Sequence, residues 1–150
     1  MKKHLSLVFI LPALFLSLTS FSFVPEHGLV DDVLSYTNKF RKSYGLKSLV
    51  MREDLNAIAR KHSENMARGR IGFGHSGFDR RYRQVCKQVS GVYQVAENVA
   101  YGARSGKEVV KQWKDSPGHR RNMLGKYKYI GIGIATDRRG HIYYTQVFAG

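Results

Sequence analysis

The stretch WKDSPGHRRNMLGKYKYIGIGIAT, Trp113 to Thr136, holds a helix start and a strand within 24 residues. Ser116 followed by Pro117 predicts a helix that opens there. Serine can cap the first turn, and proline at the first helical position lacks an N–H that would have no partner anyway. Gly125 predicts its end. Beyond it, Ile130, Ile132 and Ile134 alternate with Gly131 and Gly133. This period of two marks a strand with one apolar face and one bare face, against which a helix or loop can pack closely. A turn over Asp137–Gly140 leads into HIYYTQVF, so a closing hairpin is expected.

Upstream of this stretch the apolar period changes to that of a helix. Leu29, Val33, Tyr36 and Phe40 predict a helix over Leu29–Tyr44, ended by Gly45. Leu46–Val50 reads as a connector with Leu46 and Leu49 turned inward. Leu55, Ala59, His62 and Met66 share a stripe of a second helix, Glu53–Arg68. IGFGHSG, Ile71–Gly77, is a glycine-rich loop. A short helix, Phe78–Val85, follows with Phe78, Tyr82 and Val85 as its apolar face. Val92–Tyr101 is strand-like, and Gly106–Asp115 is a helix with Val109, Val110 and Trp113 inward. Helices first and a hairpin last predict a layered α+β domain. Trp113, Ile130, Ile132, Val147 and Phe148 are the expected core.

Composition bounds the rest. A hydrophobic fraction of 43% excludes disorder as the main state, and the single cysteine, Cys86, excludes an intrachain disulfide. The basic side chains Arg83 and Lys87 near Cys86 do not amount to a nucleophile signature. Met1–Lys3 and the uncharged run Leu5–Leu18, followed by Ser20 and Ser22, read as an export signal over residues 1–22. Residues 23–150 then form one domain outside the cytoplasm. If the signal is not cleaved, it is the domain's sole link to a membrane. The formal net charge of +14 favours anionic envelope polymers or lipids as partners, and no nucleic-acid-binding motif is present. Arg80, Arg81, Arg83, Arg120 and Arg121 cluster near two loops and read as a solvent-facing basic patch.

Three residues stand out chemically. His75 and His119 each lie beside glycine, where packing does not require an imidazole. Glu97 is a lone charge within VAENVA and needs a partner or a task. Two neutral imidazoles and a carboxylate could form a partial Zn²⁺ set with open positions, or they could be unrelated structural polar residues. His62, on an apolar stripe, reads as a hydrogen-bonded core histidine. His27 and His141 read as ordinary surface residues.

The ordered series GHSGFDRR, AENVAYG, WKDSPGHRRNML, YIGIGIA and YYTQVFA resembles the superfamily of cysteine-rich secretory proteins, antigen 5 and plant pathogenesis-related proteins, above all its disulfide-free bacterial extracellular branch. The resemblance runs from Val30 to Phe148. It implies a three-layer α-β-α sandwich with a small antiparallel sheet and a shallow cleft. It also implies that His75 and His119 are cleft histidines able to hold zinc, and that Glu97 is the first cleft acid and the candidate base of any hydrolytic reaction. The second acid would fall at Ser116, which therefore reads as a helix cap lining the cleft. Three functions follow: a secreted ligand-binding domain, a zinc-dependent hydrolase, or a basic envelope-adhesion module.

Overall fold

The computed structural model describes residues 26–150. The expected export segment, residues 1–22, lies outside them. Five helices and four strands alternate along the chain: α1 (Glu26–Lys42), β1 (Val50–Met51), α2 (Glu53–Ala67), α3 (Phe78–Gln88), β2 (Val95–Tyr101), α4 (Gly106–Asp115), α5 (Pro117–Met123), β3 (Tyr129–Thr136) and β4 (Ile142–Ala149). The strands form one sheet in the order β1-β3-β4-β2. β3–β4 and β4–β2 are antiparallel, whereas β1 runs parallel to β3. Helices α1, α4 and α5 cover one face, and α2 and α3 cover the other. This is a mixed α+β, three-layer sandwich.

The strand alternation sorts the core into two halves. Ile130, Ile132, Ile134, Tyr144 and Phe148 point into the larger half with Val33, Val109 and Trp113. Val147 and Ala149 point into the smaller half with Leu55, Ala59, Val85 and Val89. Trp113 is fully buried and its indole Nε1 donates to the Val99 carbonyl at 3.2 Å, so truncating it would remove about 3–5 kcal/mol. The bare face of β3 meets α2. A Cβ at Gly131 would lie 2.2 Å from the Leu55 carbonyl carbon, and one at Gly133 would lie 1.9 Å from the Arg60 nitrogen. The two glycines thus set the depth to which α2 settles on the sheet.

Several boundaries differ from those expected. α1 starts at Glu26 and stops at Lys42, where Gly45 turns the chain at φ +69°. The connector contains β1, too short for its period to be seen. The Arg41 side chain, though charged, is buried: Nε donates to the Lys47 carbonyl, and Nη1 donates to those of Met123 and Gly125. It ties the end of α1 to the end of α5. α3 extends to Gln88, and its buried residues are Arg81 and Val85, while Tyr82 is exposed. The inward stripe is Arg81, Val85 and Val89, at steps of four, rather than the aromatic series.

β2 is an edge strand. Two of its outward carbonyls are covered by side chains from the larger layer: Asn122 Nδ2 donates to Glu97 O at 3.1 Å, and Trp113 donates to Val99 O. Among the described residues no helix is long and apolar enough to cross a membrane.

Candidate functional site

The site lies on β2, where both layers reach the sheet edge. Glu97 points toward α2 and α3, since its register partner is Val147 of the smaller core half. Its side chain is 1% exposed, and both carboxylate oxygens accept hydrogen bonds. Arg81 donates from Nε to Oε2 at 2.6 Å and from Nη2 to Oε1 at 2.7 Å. His75 Nδ1 lies 2.9 Å from Oε1. A carboxylate offers only acceptors, so this contact places a proton on Nδ1 and selects, for the neutral ring, the tautomer whose Nε2 carries the lone pair.

The loop that presents His75 is pinned from behind. His62 is buried on α2, and its Nε2 donates to the Gly74 carbonyl at 2.8 Å. The same nitrogen lies 3.6 Å from Glu97 Oε1, while Nδ1 has no hydrogen-bond partner among the described residues. Gly74 has φ +135°, which only glycine tolerates well. Arg81 adds a third constraint, donating from Nη1 to the Ser76 carbonyl at 2.8 Å. His62 is thus the hydrogen-bonded histidine expected, and it forms the back wall of the site.

His119 arrives from the opposite layer, in the first turn of α5. Asn98, fully buried and facing away from Glu97, donates from Nδ2 to the His119 carbonyl at 3.2 Å and to Gln146 Oε1 at 3.1 Å. Gln146 donates to Thr37 of α1, and Asn122 donates to Asn98 Oδ1. This polar chain crosses the larger layer and fixes α5 against the strand that carries Glu97. Burial, then the nearby charge of His75, pushes the His119 pKa below its ordinary value, favouring the neutral ring. Burial is likewise the main cause that lowers the pKa of His62; Glu97 opposes the shift, while the Arg81 and His75 charges add to it.

Two expectations are corrected by this geometry. Arg81 is not part of a solvent-facing patch, because it is 5% exposed and committed to Glu97. Ser116 occupies the N-cap position of α5 but makes no side-chain capping bond, with backbone angles of φ −98° and ψ 118°. Proline at the next position sets the helix direction unaided. The serine that does cap a helix is Ser105, which accepts from Glu108 N at 3.1 Å, while Glu108 accepts from Arg104 N at 2.9 Å.

The donor set fits a loosely held metal at most. His75 Nε2 and the His119 ring remain available, but Glu97 is spent on Arg81 and His75. Among the described residues no three His, Cys, Asp or Glu side chains group as a metal-binding set. Glu97 accepts from His75 Nδ1 and so fixes the orientation of that imidazole.

Comparison with known proteins agrees with this architecture. The family model described as the cysteine-rich secretory protein family matches residues 34–148, and the chain belongs to that family. The four positions expected to line a cleft, His75, Glu97, Ser116 and His119, fall within the match. YkwD of Bacillus subtilis, an uncharacterized protein, is 36% identical over 126 residues, covering 79% of this chain and 46% of YkwD. YlbC, an uncharacterized membrane protein of the same organism, is 31% identical over 121 residues, covering 77% of this chain and 33% of YlbC. The chain therefore spans less than half the length of these curated relatives. An outer surface protein of Borrelia burgdorferi shares the fold with a TM-score of 0.73 at 18% identity, covering 84% of this chain and 95% of that one. An extracellular SCP-domain protein of Bacillus anthracis gives 0.71 at 24% identity, covering 85% and 44%. A cysteine-rich secretory protein of Staphylococcus aureus gives 0.69 at 26% identity, covering 85% and 40%.

Proposed function

We propose that the chain is an extracytoplasmic ligand-binding domain whose ligand sits at the β2 edge, between His75 and His119, and that it is not a hydrolase. The observation that carries this reading is the state of Glu97. A general base needs a lone pair that water can reach, yet the Glu97 side chain is 1% exposed, and both its oxygens accept from Arg81 while one also faces His75. Ser116 stands where the resemblance puts a second acid, so no other cleft carboxylate takes over. What remains is a pair of imidazoles on a rigid frame, suited to a ligand's polar groups or to a divalent ion.

Zn²⁺, if bound there, would be held by His75 Nε2 and His119 and would supply a Lewis-acidic contact for a ligand oxygen. Glu97 would keep His75 in the ligating tautomer, and the lowered pKa of His119 would reduce proton competition at mildly acidic pH. The apolar run and small residues of 1–22, together with the extracellular and outer-surface proteins that share the fold, support a location outside the cytoplasm.

Zinc calorimetry on the wild-type chain and on a His75→Ala/His119→Ala variant tests the site. The expected result is one weak zinc event in the wild type that is lost in the variant. Equal binding by both would remove the imidazole pair from the reading.

A further inference from the structure

We infer that Phe73, Tyr101 and Tyr143 form a saccharide-binding subsite for an acidic glycan beside the cleft. This deepens the binding-domain reading by naming the ligand class, but it stands on residues that touch neither cleft imidazole.

The three rings form one contiguous surface. Tyr101 and Tyr143 are direct register partners on β2 and β4, and their rings stack at 5.8 Å with 23° between planes. Phe73 meets Tyr101 edge-on at 4.9 Å and 63°. The result is an aromatic corner, with two near-parallel rings and one standing across them. Phe73 and Tyr101 are 53% and 54% exposed, although aromatic side chains gain most by burial. Scattered exposed rings need no explanation, but three joined through Tyr101 mark a surface meant to be covered.

The size and chemistry of the corner select its occupant. Two half-exposed rings and the partly buried Tyr143 offer roughly 250 Å². A stable protein interface needs about 800 Å² from each side, so a protein partner is too large for this surface. A sugar ring matches it, because pyranose C–H faces pack on aromatic planes while the hydroxyls stay polar. The Tyr101 and Tyr143 hydroxyls make no hydrogen bond among the described residues and are free to meet those hydroxyls. The ligand's charge follows from the flanks. Arg70 lies three residues before Phe73 and Arg104 three after Tyr101; both are exposed and neither is in an ion pair among the described residues. Carboxylate or phosphate groups on the glycan would complement them.

The corner is also mechanically joined to the cleft. Gly74 separates Phe73 from His75, and its carbonyl is held by buried His62. On the strand side, Tyr101 follows Glu97 by four residues on the same face, about 13 Å along the edge. One loop and one strand therefore present both the aromatic corner and the His75–Glu97 pair. An extended polymer could lie along that edge.

The test uses the full chain with soluble peptidoglycan strands freed of their stem peptides, so that the lactyl groups are free carboxylates. Neutral chito-oligosaccharides and phosphatidylglycerol/phosphatidylcholine vesicles serve as contrasts. The wild type should bind the peptidoglycan strands more tightly than the neutral sugar and should not need the vesicles. Phe73→Ala with Tyr101→Ala should weaken that binding at least about tenfold while leaving the melting temperature and the zinc isotherm unchanged. The His75→Ala/His119→Ala variant should retain glycan binding. Unchanged binding in the aromatic double variant, or no glycan binding by the wild type, overturns the inference even if zinc binding holds. Vesicle binding that the aromatic variant alone abolishes would assign the surface to a membrane instead. Conversely, loss of zinc binding with glycan binding intact would count against the metal and spare the subsite.

Discussion

Arg81 and Glu97 are joined edge to edge, with both carboxylate oxygens accepting from one guanidinium inside a layer where neither side chain is more than 6% exposed. Such a pair gains little net stability, since desolvating two charges offsets most of their attraction. Its value here is positional: the carboxylate is locked in the orientation that His75 Nδ1 needs. Removing one partner is a different matter, because the other is left charged and buried. Arg81→Met should cost about 3–5 kcal/mol in urea unfolding, and Arg81→Met with Glu97→Gln should recover part of that loss. A cost below about 1 kcal/mol for the single variant would mean that the pair is not held in solution.

The two helix-starting serines should behave unlike each other. Ser105→Ala removes the acceptor for Glu108 N and should lower stability by about 1 kcal/mol. Ser116→Ala removes no capping bond and should change stability by less than about 0.5 kcal/mol. Thermal unfolding of the two variants side by side checks the contrast. Equal losses would show that Ser116 does cap α5.

Acid should loosen the site from within. The folded pKa of His62 lies below its ordinary value of 6.5, chiefly because burial penalises the imidazolium. Below pH 6.5 the unfolded chain therefore takes up a proton that the folded chain resists, so stability is complete above that pH and falls as pH drops through it. The slope for one such group approaches about 1.4 kcal/mol per pH unit until the folded ring itself protonates. His62→Gln, which keeps a donor for the Gly74 carbonyl, should flatten the stability curve between pH 6.5 and the folded pKa. Some slope should remain, because His119 is shifted in the same direction. An unchanged curve would assign the acid response to other groups.

Much of the fold was legible because its signals are periodic. The Ile130–Ile134 alternation, the Leu55–Met66 stripe and the Gly106–Asp115 helix all lie where residue spacing puts them. Gly131 and Gly133 marked the face that α2 approaches, since nothing larger than hydrogen fits there. Glu97 could be singled out as a charge without local compensation, and it makes direct contact with His75. Arg81 was hidden because it sits beside Arg80 and Arg83, and charge runs usually face water. Its one telltale was the step of four to Val85 and Val89, a stripe that treats the arginine as a core residue. Asn98, Asn122 and Gln146 gave no signal, since amides appear on surfaces and in cores alike and only the fold brings these three together. β1 escaped because two residues cannot display a period, and its pairing depends on β3, far away in sequence.

The covered edge of β2 bears on how the protein can live on a crowded surface. A free sheet edge is a template on which further copies can add strand by strand. Asn122 and Trp113 occupy the Glu97 and Val99 carbonyls that an incoming strand would need. The strand that carries Glu97 is therefore guarded against strand addition at the two positions in the middle of its edge. High local density can raise occupancy without seeding fibrils.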